Sequence, residues 1–346
     1  MRINIAFFNK ELPSDKPNGV SCQVHRLANA LVDLGHSCTC FSFSPKPEDA
    51  RYDHTMLFHT GASKIARKLE PAFCFKQVNT GNFDIIHFHG DDYLVRGSSR
   101  RVRTFYGSAL SEACHTPKAA RKLYQGLFYL FEWISCVRRG VTVGISKATT
   151  RALPLIQQVI PCGVPLNTFT VASRKTDNPS ILFLGDLRSR KRGDYLIPLF
   201  TNDIIKRYPD CTLTVVGPEP CAGRNIIYAG KLSEVSLIEK YQESWVYCMP
   251  SSYEGFGVPA IEAMACGTAV VAVDNPGVRE IIRSDYNGLR VDASLLTEGL
   301  CRVLGDDNLR KTLEKNGRTV VEKMFDIRLI AEKYEQLYRS ILAYVR

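Results

Sequence analysis

Residues 250–272, PSSYEGFGVPAIEAMACGTAVVA, contain two glutamates, one on each side of a segment with two glycines. Glu254 lies in a loop, and Glu262 lies in the first turn of a helix that Pro259 and the helix formers around it predict to begin near Val258. The N-terminus of such a helix favours an anion such as phosphate, because its backbone N–H groups are unpaired. An ionised carboxylate instead accepts hydrogen bonds from hydroxyl groups.

This pattern suits a ligand that has a diphosphate between two hydroxyl-bearing rings, in other words a nucleotide sugar. A simpler interpretation stays open. In it, Glu262 only interacts favourably with the helix dipole, and Glu254 is a solvated surface charge.

Short apolar runs alternate with helical patterns along the chain, which predicts an α/β fold of parallel sheets with crossover helices. The predicted strands of the first half are INIAFF, SCTCFSF, DIIHFHG, RVRTFYG and VTVGIS, and the helix after the first strand is predicted to end at Gly35. Those of the second half are SILFLGDL, CTLTVVG, NIIYAG, WVYCMPS and TAVVAVD. A length of 346 residues favours two domains, and PCGVPLNTFTVASRKTDNPS has the composition of a linker.

The double-glutamate stretch resembles the signature of retaining glycosyltransferases of family 4, which have the GT-B fold. The resemblance extends to the Asn18-Gly19 loop, the strand ending HFH, and the segments FLGDLRSRKRGDYLI, LTVVGPEP, IIYAGKL, NPGVREII and YNGLRV. It implies two Rossmann-like doubly wound domains that face a central cleft. The N-terminal domain, residues 1–165, would bind the acceptor, and the C-terminal domain, residues 166–326, would bind the nucleotide sugar. A terminal helix, residues 327–346, would pack back on the N-terminal domain.

The resemblance also implies roles for individual residues. Glu262 would hold the ribose hydroxyls of the donor, Glu254 would contact the transferred sugar, and Gly19 would pass close to the diphosphate. His89 matches a histidine near the reacting sugar, although taken alone it is also typical of a core histidine. The backbone N–H groups that would bind sugar hydroxyls and phosphate are those of Phe256, Gly257 and Val258.

A cation is also needed, because cleavage of the anomeric bond leaves negative charge on the diphosphate. The family has an arginine directly after the glycine of the FLG strand, and this chain has Asp186 there. Lys191 has the better spacing for the lysine of the family, and Arg192 is the adjacent alternative. Arg188 and Arg190 are further candidates, and they are equally typical of surface charges.

Residues 96–147 contain ten Lys or Arg and only two acids, in a chain whose net charge is +10. Aromatic residues are interleaved with these cations, which is typical of a surface that docks on anionic lipid or binds an acceptor. Nucleic acid is disfavoured because no nucleic-acid-binding motif is present, and a core helix with solvated ends is the other interpretation. The predicted membrane or acceptor patch consists of Arg100, Arg101, Arg103, Lys118, Arg121 and Lys122.

The twelve cysteines include no C-x-x-C pair, which predicts reduced thiols and no metal site. The apolar run of residues 3–8 is too short for a signal peptide, and no segment approaches the length of a membrane span. We expect a cytoplasmic protein at the inner face of the membrane. Apart from its nucleotide-sugar donor we expect no cofactor.

The sequence thus predicts a retaining glycosyltransferase that acts on an acceptor hydroxyl, such as that of a lipid-linked sugar or glycolipid, in polysaccharide or glycoconjugate synthesis. The resemblance favours a front-face mechanism, in which the leaving phosphate takes the acceptor proton. Two alternatives stay open. One is a nucleotide-sugar hydrolase or epimerase on the same fold, and the other is an inactive donor-binding subunit, which Asp186 at the arginine position would suit.

Overall fold

The structure is a computed structural model that describes residues 1–13, 18–59, 66–116, 119–172 and 174–345. The chain divides into two compact units. The first comprises Met1–Ala113, Ala119–Gly163 and Ile327–Arg346, and the second comprises Cys114–Lys118 and Val164–Asp326.

The first unit is built on a parallel sheet. Its strands are β1 (Asn4–Phe8), β2 (Ser37–Ser42), β3 (Asp53–Met56), β4 (Ile85–Phe88), β5 (Arg101–Phe105), β6 (Val141–Gly144) and β7 (Gln158–Val159). Their order in the sheet is β3-β2-β1-β4-β5-β6-β7. The helices of this part of the chain are α1 (Gly19–Asp33), α2 (Ala66–Gln77), α3 (Ala109–Cys114), α4 (Ala119–Val137) and α5 (Lys147–Ala152).

The second unit repeats this plan. Its strands are β8 (Ser180–Leu184), β9 (Thr212–Val216), β10 (Ile226–Gly230), β11 (Val246–Met249), β12 (Ala269–Val273) and β13 (Leu289–Val291), in the order β10-β9-β8-β11-β12-β13. Its helices are α6 (Gly193–Leu199), which continues through a π-helical turn (Phe200–Ile204) into α7 (Ile205–Arg207), then α8 (Glu234–Glu243), α9 (Val258–Ala265), α10 (Val278–Ile281), a 3-10 turn (Ala293–Leu295), α11 (Leu296–Gly305) and α12 (Asp307–Met324).

The last helix, α13 (Ile327–Val345), packs against α1 in the first unit. Its apolar face joins the core that covers β1 and β2. Two tyrosines of this face also hydrogen-bond inside the unit, because the Tyr338 hydroxyl lies 2.7 Å from Nδ1 of His87 and the Tyr334 hydroxyl lies 2.9 Å from that of Thr104.

The α/β class and the two parallel sheets agree with the sequence prediction, and every strand that the apolar runs predicted is present. The sequence missed β3, β7 and β13, which all lie at or next to a sheet edge. They are short or polar, as with DHTM in β3, so they have no apolar run to reveal them. The predicted end of α1 is also confirmed, because Gly35 has a φ of +88° there.

Gly163 has to be small because α13 starts directly against it. A Cβ at this position would lie 2.8 Å from the Ile327 Cα, and the Gln23 side chain bonds both the N–H and the C=O of Gly163. We expect Gly163→Ala to lower the free energy of unfolding by about 1–3 kcal/mol, as overpacking does. Urea unfolding monitored by circular dichroism measures this.

The matched control is Gly126→Ala in α4, where a new Cβ meets no atom within 4 Å. This variant should be as stable as the parent, or more stable by up to about 1 kcal/mol, because alanine favours helix. A Gly163→Ala protein that unfolds at the same urea concentration as the control would show that the start of α13 is not tightly packed.

Candidate functional site

Glu254 lies in the loop between β11 and α9, and only 4% of it is exposed. The Lys191 ammonium donates to Glu254 Oε1 at 2.7 Å, and Arg190 Nη1 lies 2.8 Å from Glu254 Oε2. Burial alone would raise the pKa of Glu254, but Lys191 and then Arg190 outweigh burial and hold that pKa at about 2. The carboxylate is therefore ionised at neutral pH and paired with two cations.

Gly185, at the end of β8, lets the Lys191 side chain reach Glu254. Its φ is +154°, and a Cβ on Gly185 would lie only 2.7 Å from Cβ and Cγ of Lys191. Any other residue would push the lysine stem away from the strand end. The glycine of the FLG strand therefore makes room for the cation that meets Glu254.

Backbone hydrogen bonds join the loop after β8 to the loop after β11. The Ser252 N–H donates to the Arg190 C=O at 2.9 Å, and the Arg190 guanidinium donates to the Tyr253 C=O at 2.8 Å. On its other side the loop after β8 is held by Glu219, whose carboxylate accepts from the Leu187 N–H at 2.9 Å. The positions of Lys191 and Glu254 are thus fixed together.

The Asn275-Pro-Gly277 turn supports the Glu254 loop from a third side. Asn275 donates to the Ser251 C=O at 3.2 Å and accepts from the Gly277 N–H at 3.2 Å. A Cβ on Gly277 would lie 2.5 Å from the Glu254 carbonyl oxygen. The sequence assigned no role to Asn275, Gly277 or Glu219. The only signal for them was that they lie in the segments NPGVREII and GPEP of the resemblance.

Helix α9 begins at Val258, as the sequence predicted, after Gly257 adopts a φ of +110°. Phe256 precedes it with only 3% of its surface exposed. The expectation that Glu262 lies in the first turn is wrong, because a full turn separates it from Val258. Glu262 is buried and accepts a 3.2 Å hydrogen bond from the Tyr241 hydroxyl.

The other candidate cations of the second unit lie apart from Glu254. Arg188 is exposed, as is Asp186. Arg192 caps α6 with a left-handed backbone, and its guanidinium lies over the Tyr195 ring at 4.2 Å. The structure therefore brings Lys191 and Arg190 to Glu254. The catalytic roles given to them stay predictions.

In the first unit, His89 follows β4 and is buried. Its Nδ1 lies 2.9 Å from the Tyr106 hydroxyl, its ring stacks on Phe7 at 5.1 Å, and its Nε2 has no hydrogen-bond partner among the described residues. Burial, then His87 and Arg103, lower the pKa of His89 well below its ordinary value. The imidazole is therefore neutral. It has one nitrogen to offer a ligand.

Gly19 is the first residue of α1, directly after the capping residue Asn18. The Asn18 side chain accepts from the Ser21 N–H at 2.9 Å, and the Asn18 N–H donates to the Ser21 hydroxyl at 3.1 Å. A Cβ on Gly19 would meet no atom of the described residues within 4 Å. A glycine at this position also allows close approach of a ligand to the backbone.

The assignment of Arg101 and Arg103 to a membrane patch is wrong. Both lie on β5, whose residues are all buried, and both pair with the buried carboxylate of Asp92. Arg101 Nε donates to Asp92 at 2.9 Å, Arg103 Nε lies 3.1 Å from Asp92 Oδ1, and the Ser135 hydroxyl donates to Asp92 at 2.7 Å. Burial raises the pKa of Asp92, but Arg103 and Arg101 outweigh it and lower that pKa overall. These cations form an internal ion cluster.

The rest of the predicted patch is divided. Arg100 is partly buried and donates to the Phe83 C=O at 2.6 Å, whereas Arg121 and Lys122 are exposed on α4. Lys118 lies outside the described residues.

Helix α4 also presents an apolar stripe to solvent. Its residues, spaced by three and four along one face, are Leu123, Leu127, Leu130, Ile134 and Val137. The most exposed is Leu123, at 81%. Within the described ranges, every helix is too short or too polar to cross a membrane.

Comparisons with known proteins cover nearly the whole chain. A family model described as glycosyl transferases group 1 matches residues 167–320, and one described as Glycosyltransferase Family 4 matches residues 17–168. The chain is 26% identical to a phosphatidyl-myo-inositol mannosyltransferase of Mycobacterium tuberculosis, over 94% of each chain.

Two solved structures share the fold. Sucrose-phosphate synthase from Thermosynechococcus elongatus superposes with a TM-score of 0.81 at 22% identity, over 99% of this chain and 100% of that one. The Anabaena protein HepE in complex with UDP and glucose gives a TM-score of 0.76 at 14% identity, over 98% and 100%.

Asp92→Asn should destabilise the first unit severely, because it leaves two buried guanidiniums with no anionic partner at that position. The expected loss is about 3–5 kcal/mol in the free energy of unfolding. Glu112→Gln is the matched control, since the Glu112 carboxylate is partly exposed and lies 3.7 Å from an exposed Arg121. It should cost less than about 1 kcal/mol. Equal losses for the two variants in urea unfolding would contradict an internal ion cluster.

Proposed function

Because the chain belongs to glycosyltransferase family 4 and has the GT-B fold, we propose that it transfers a sugar from a nucleotide diphosphate sugar to an acceptor hydroxyl, with retention at the anomeric carbon. The observation that carries this proposal is the buried Glu254 carboxylate with its two cations, directly before the N-terminus of α9. The second unit thus contains a carboxylate that can accept hydrogen bonds from hydroxyls, two cations for a leaving phosphate, and a helix N-terminus.

In the proposed donor complex the diphosphate lies at the N-terminus of α9, where Gly257 and Val258 present their backbone. Glu262 accepts the ribose hydroxyls, and Glu254 accepts hydroxyls of the transferred sugar. The HepE structure, which contains UDP and glucose, supports a donor of this type because it shares the fold.

Lys191 and Arg190 stabilise the leaving diphosphate in this proposal. Arg190 supplies the second cation that the family has at the position of Asp186. The departing phosphate then takes the acceptor proton, so neither a protein nucleophile nor a metal ion is required. Because Glu254 already orients both cations in the free protein, little reorganisation is needed when negative charge develops.

The acceptor we propose is a lipid-linked sugar or glycolipid, reached at the inner face of an anionic membrane. The exposed stripe of α4 and the flanking Arg121, Lys122 and Arg139 support this contact, because apolar side chains insert between lipids while cations meet their headgroups. The Mycobacterium relative is, by its name, a phosphatidyl-myo-inositol mannosyltransferase, so the acceptor in that name is a membrane phospholipid.

Lys191→Ala should lower turnover by about 100-fold or more while donor affinity changes little, because the charge that Lys191 meets grows as the sugar departs. Arg192→Ala is the matched control, since its guanidinium lies over Tyr195. Single-turnover transfer at saturating donor, with melting curves to confirm folding, measures both. A crippled Arg192→Ala with a normal Lys191→Ala would move the catalytic role to Arg192. Release of free sugar in place of transfer would favour a hydrolase.

Replacing Leu123, Leu127 and Leu130 with Gln should weaken binding to anionic vesicles by about 100-fold or more, since each leucine contributes about 1.5–3 kcal/mol when it is fully buried. Turnover of a soluble acceptor analogue should not change. Leu295→Gln, an exposed leucine of the second unit, is the control. Co-sedimentation with vesicles measures binding. A parent protein that stays in the supernatant would refute the membrane contact.

A further inference from the structure

A cavity of about 160 Å³ lies in the first unit between the segment after β4 and helix α4. Its lining includes Gly90, Asp91 and Tyr93 from that segment, Phe131 and Glu132 from α4, and Arg103 from β5. A cavity of about 150 Å³ holds one benzene ring in another protein. The space here therefore fits one six-membered ring.

Two further carboxyl groups line this cavity beside Asp92, which is paired with Arg101 and Arg103. Glu132 accepts from the Ala109 N–H at 3.1 Å and from the Ser108 hydroxyl at 3.4 Å, which fixes its position. Asp91 has a φ of +55°, a left-handed conformation that is costly for a residue other than glycine. Such strain is concentrated at functional sites. Burial raises the pKa of Glu132 to about 7 and that of Asp91 to about 6, because it outweighs the opposing effect of Arg103 on both groups.

Tyr93 is a buried residue of the cavity wall. It is only 6% exposed, and its hydroxyl has no hydrogen-bond partner among the described residues. Its ring stacks on Phe131 with 4.1 Å between centroids. A buried hydroxyl without a partner is costly, so a residue of the cavity wall keeps an unsatisfied polar group.

The charges around the cavity decide between an anionic and a neutral ligand. The guanidiniums of Arg101 and Arg103 carry two positive charges. The carboxyl groups of Asp91, Asp92 and Glu132 carry three negative charges when all of them are ionised. The net charge of this group is then negative, so a phosphate would be repelled. Carboxyl groups and aromatic walls suit the hydroxyls and C–H faces of a neutral polyol.

We propose that this cavity binds one neutral, polyhydroxylated six-membered ring. The ring belongs to the acceptor, a step that rests on the proposed glycosyl transfer. Gly90, which lines the cavity, follows His89 directly in the chain. Asp91 and Glu132 accept its hydroxyls, and the aromatic wall covers its apolar surface.

The test uses methyl α-D-mannopyranoside and myo-inositol as probes, with binding measured by ligand-observed NMR on the full chain. Gly90→Leu should abolish binding: a Cβ there meets no atom within 4 Å, so the side chain fits the protein and occupies space that the ring needs. Above the pKa of about 7, where Glu132 is ionised, Glu132→Gln should weaken binding by about tenfold or more, because a charged acceptor becomes a neutral one. The controls are Gly126→Leu and Glu112→Gln, whose residues lie outside the cavity lining.

The proposal is overturned if neither probe binds the parent protein, if the cavity variants bind as the controls do, or if inorganic phosphate competes with the probes. Titration with UDP is a separate arm that reports on the donor site of the second unit. Loss of UDP binding alone would contradict the proposed transfer and leave the ring site standing. Intact UDP binding without ring binding would contradict only this inference.

Discussion

The ion pairs of Glu254 with Lys191 and Arg190 are the interaction on which the arrangement of the second unit depends. A buried carboxylate is tolerated only when cations and hydrogen bonds compensate for its lost hydration. To bring both cations there, the loop after β8 must fold back over Gly185 and bond to the loop after β11. Gly277 closes the third side, where even a methyl group would strike the Glu254 backbone. Three separate segments thus adopt conformations that accommodate the buried Glu254 carboxylate.

The first unit also contains buried charges, but there one anion compensates for two cations. Asp92 is the buried anion that lets Arg101 and Arg103 lie inside a parallel sheet. Four of the nine described cations in residues 96–147 are internal or partly buried, and three of the five exposed ones, Arg121, Lys122 and Arg139, lie on α4 or directly after it. The internal ion cluster and the exposed surface of α4 are therefore separate features, although both were predicted to form one patch. The ion cluster organises the end of β4 and β5 near His89, whereas the apolar stripe of α4 is available to a partner.

Local sequence patterns predicted most of the fold. Apolar runs located the central strands, and Pro259 with the helix formers around it located the start of α9, because these signals act within a few residues. The alternation in RVRTF, in contrast, is typical of a half-exposed strand, and β5 is covered on both faces. Its partner Asp92 lies on another segment, so only tertiary structure shows that the arginines are internal. Likewise, only the structure shows that Lys191 pairs with Glu254 while Arg192, with a left-handed backbone, lies over the Tyr195 ring.

A crystal structure of the protein with a non-hydrolysable nucleotide sugar would show directly where the donor binds. We predict sugar hydroxyls within hydrogen-bond distance of Glu254, the ribose at Glu262, and the diphosphate at the N-terminus of α9 with Lys191 beside it. A phosphate placed against Glu254, or a nucleotide bound away from α9, would contradict this prediction.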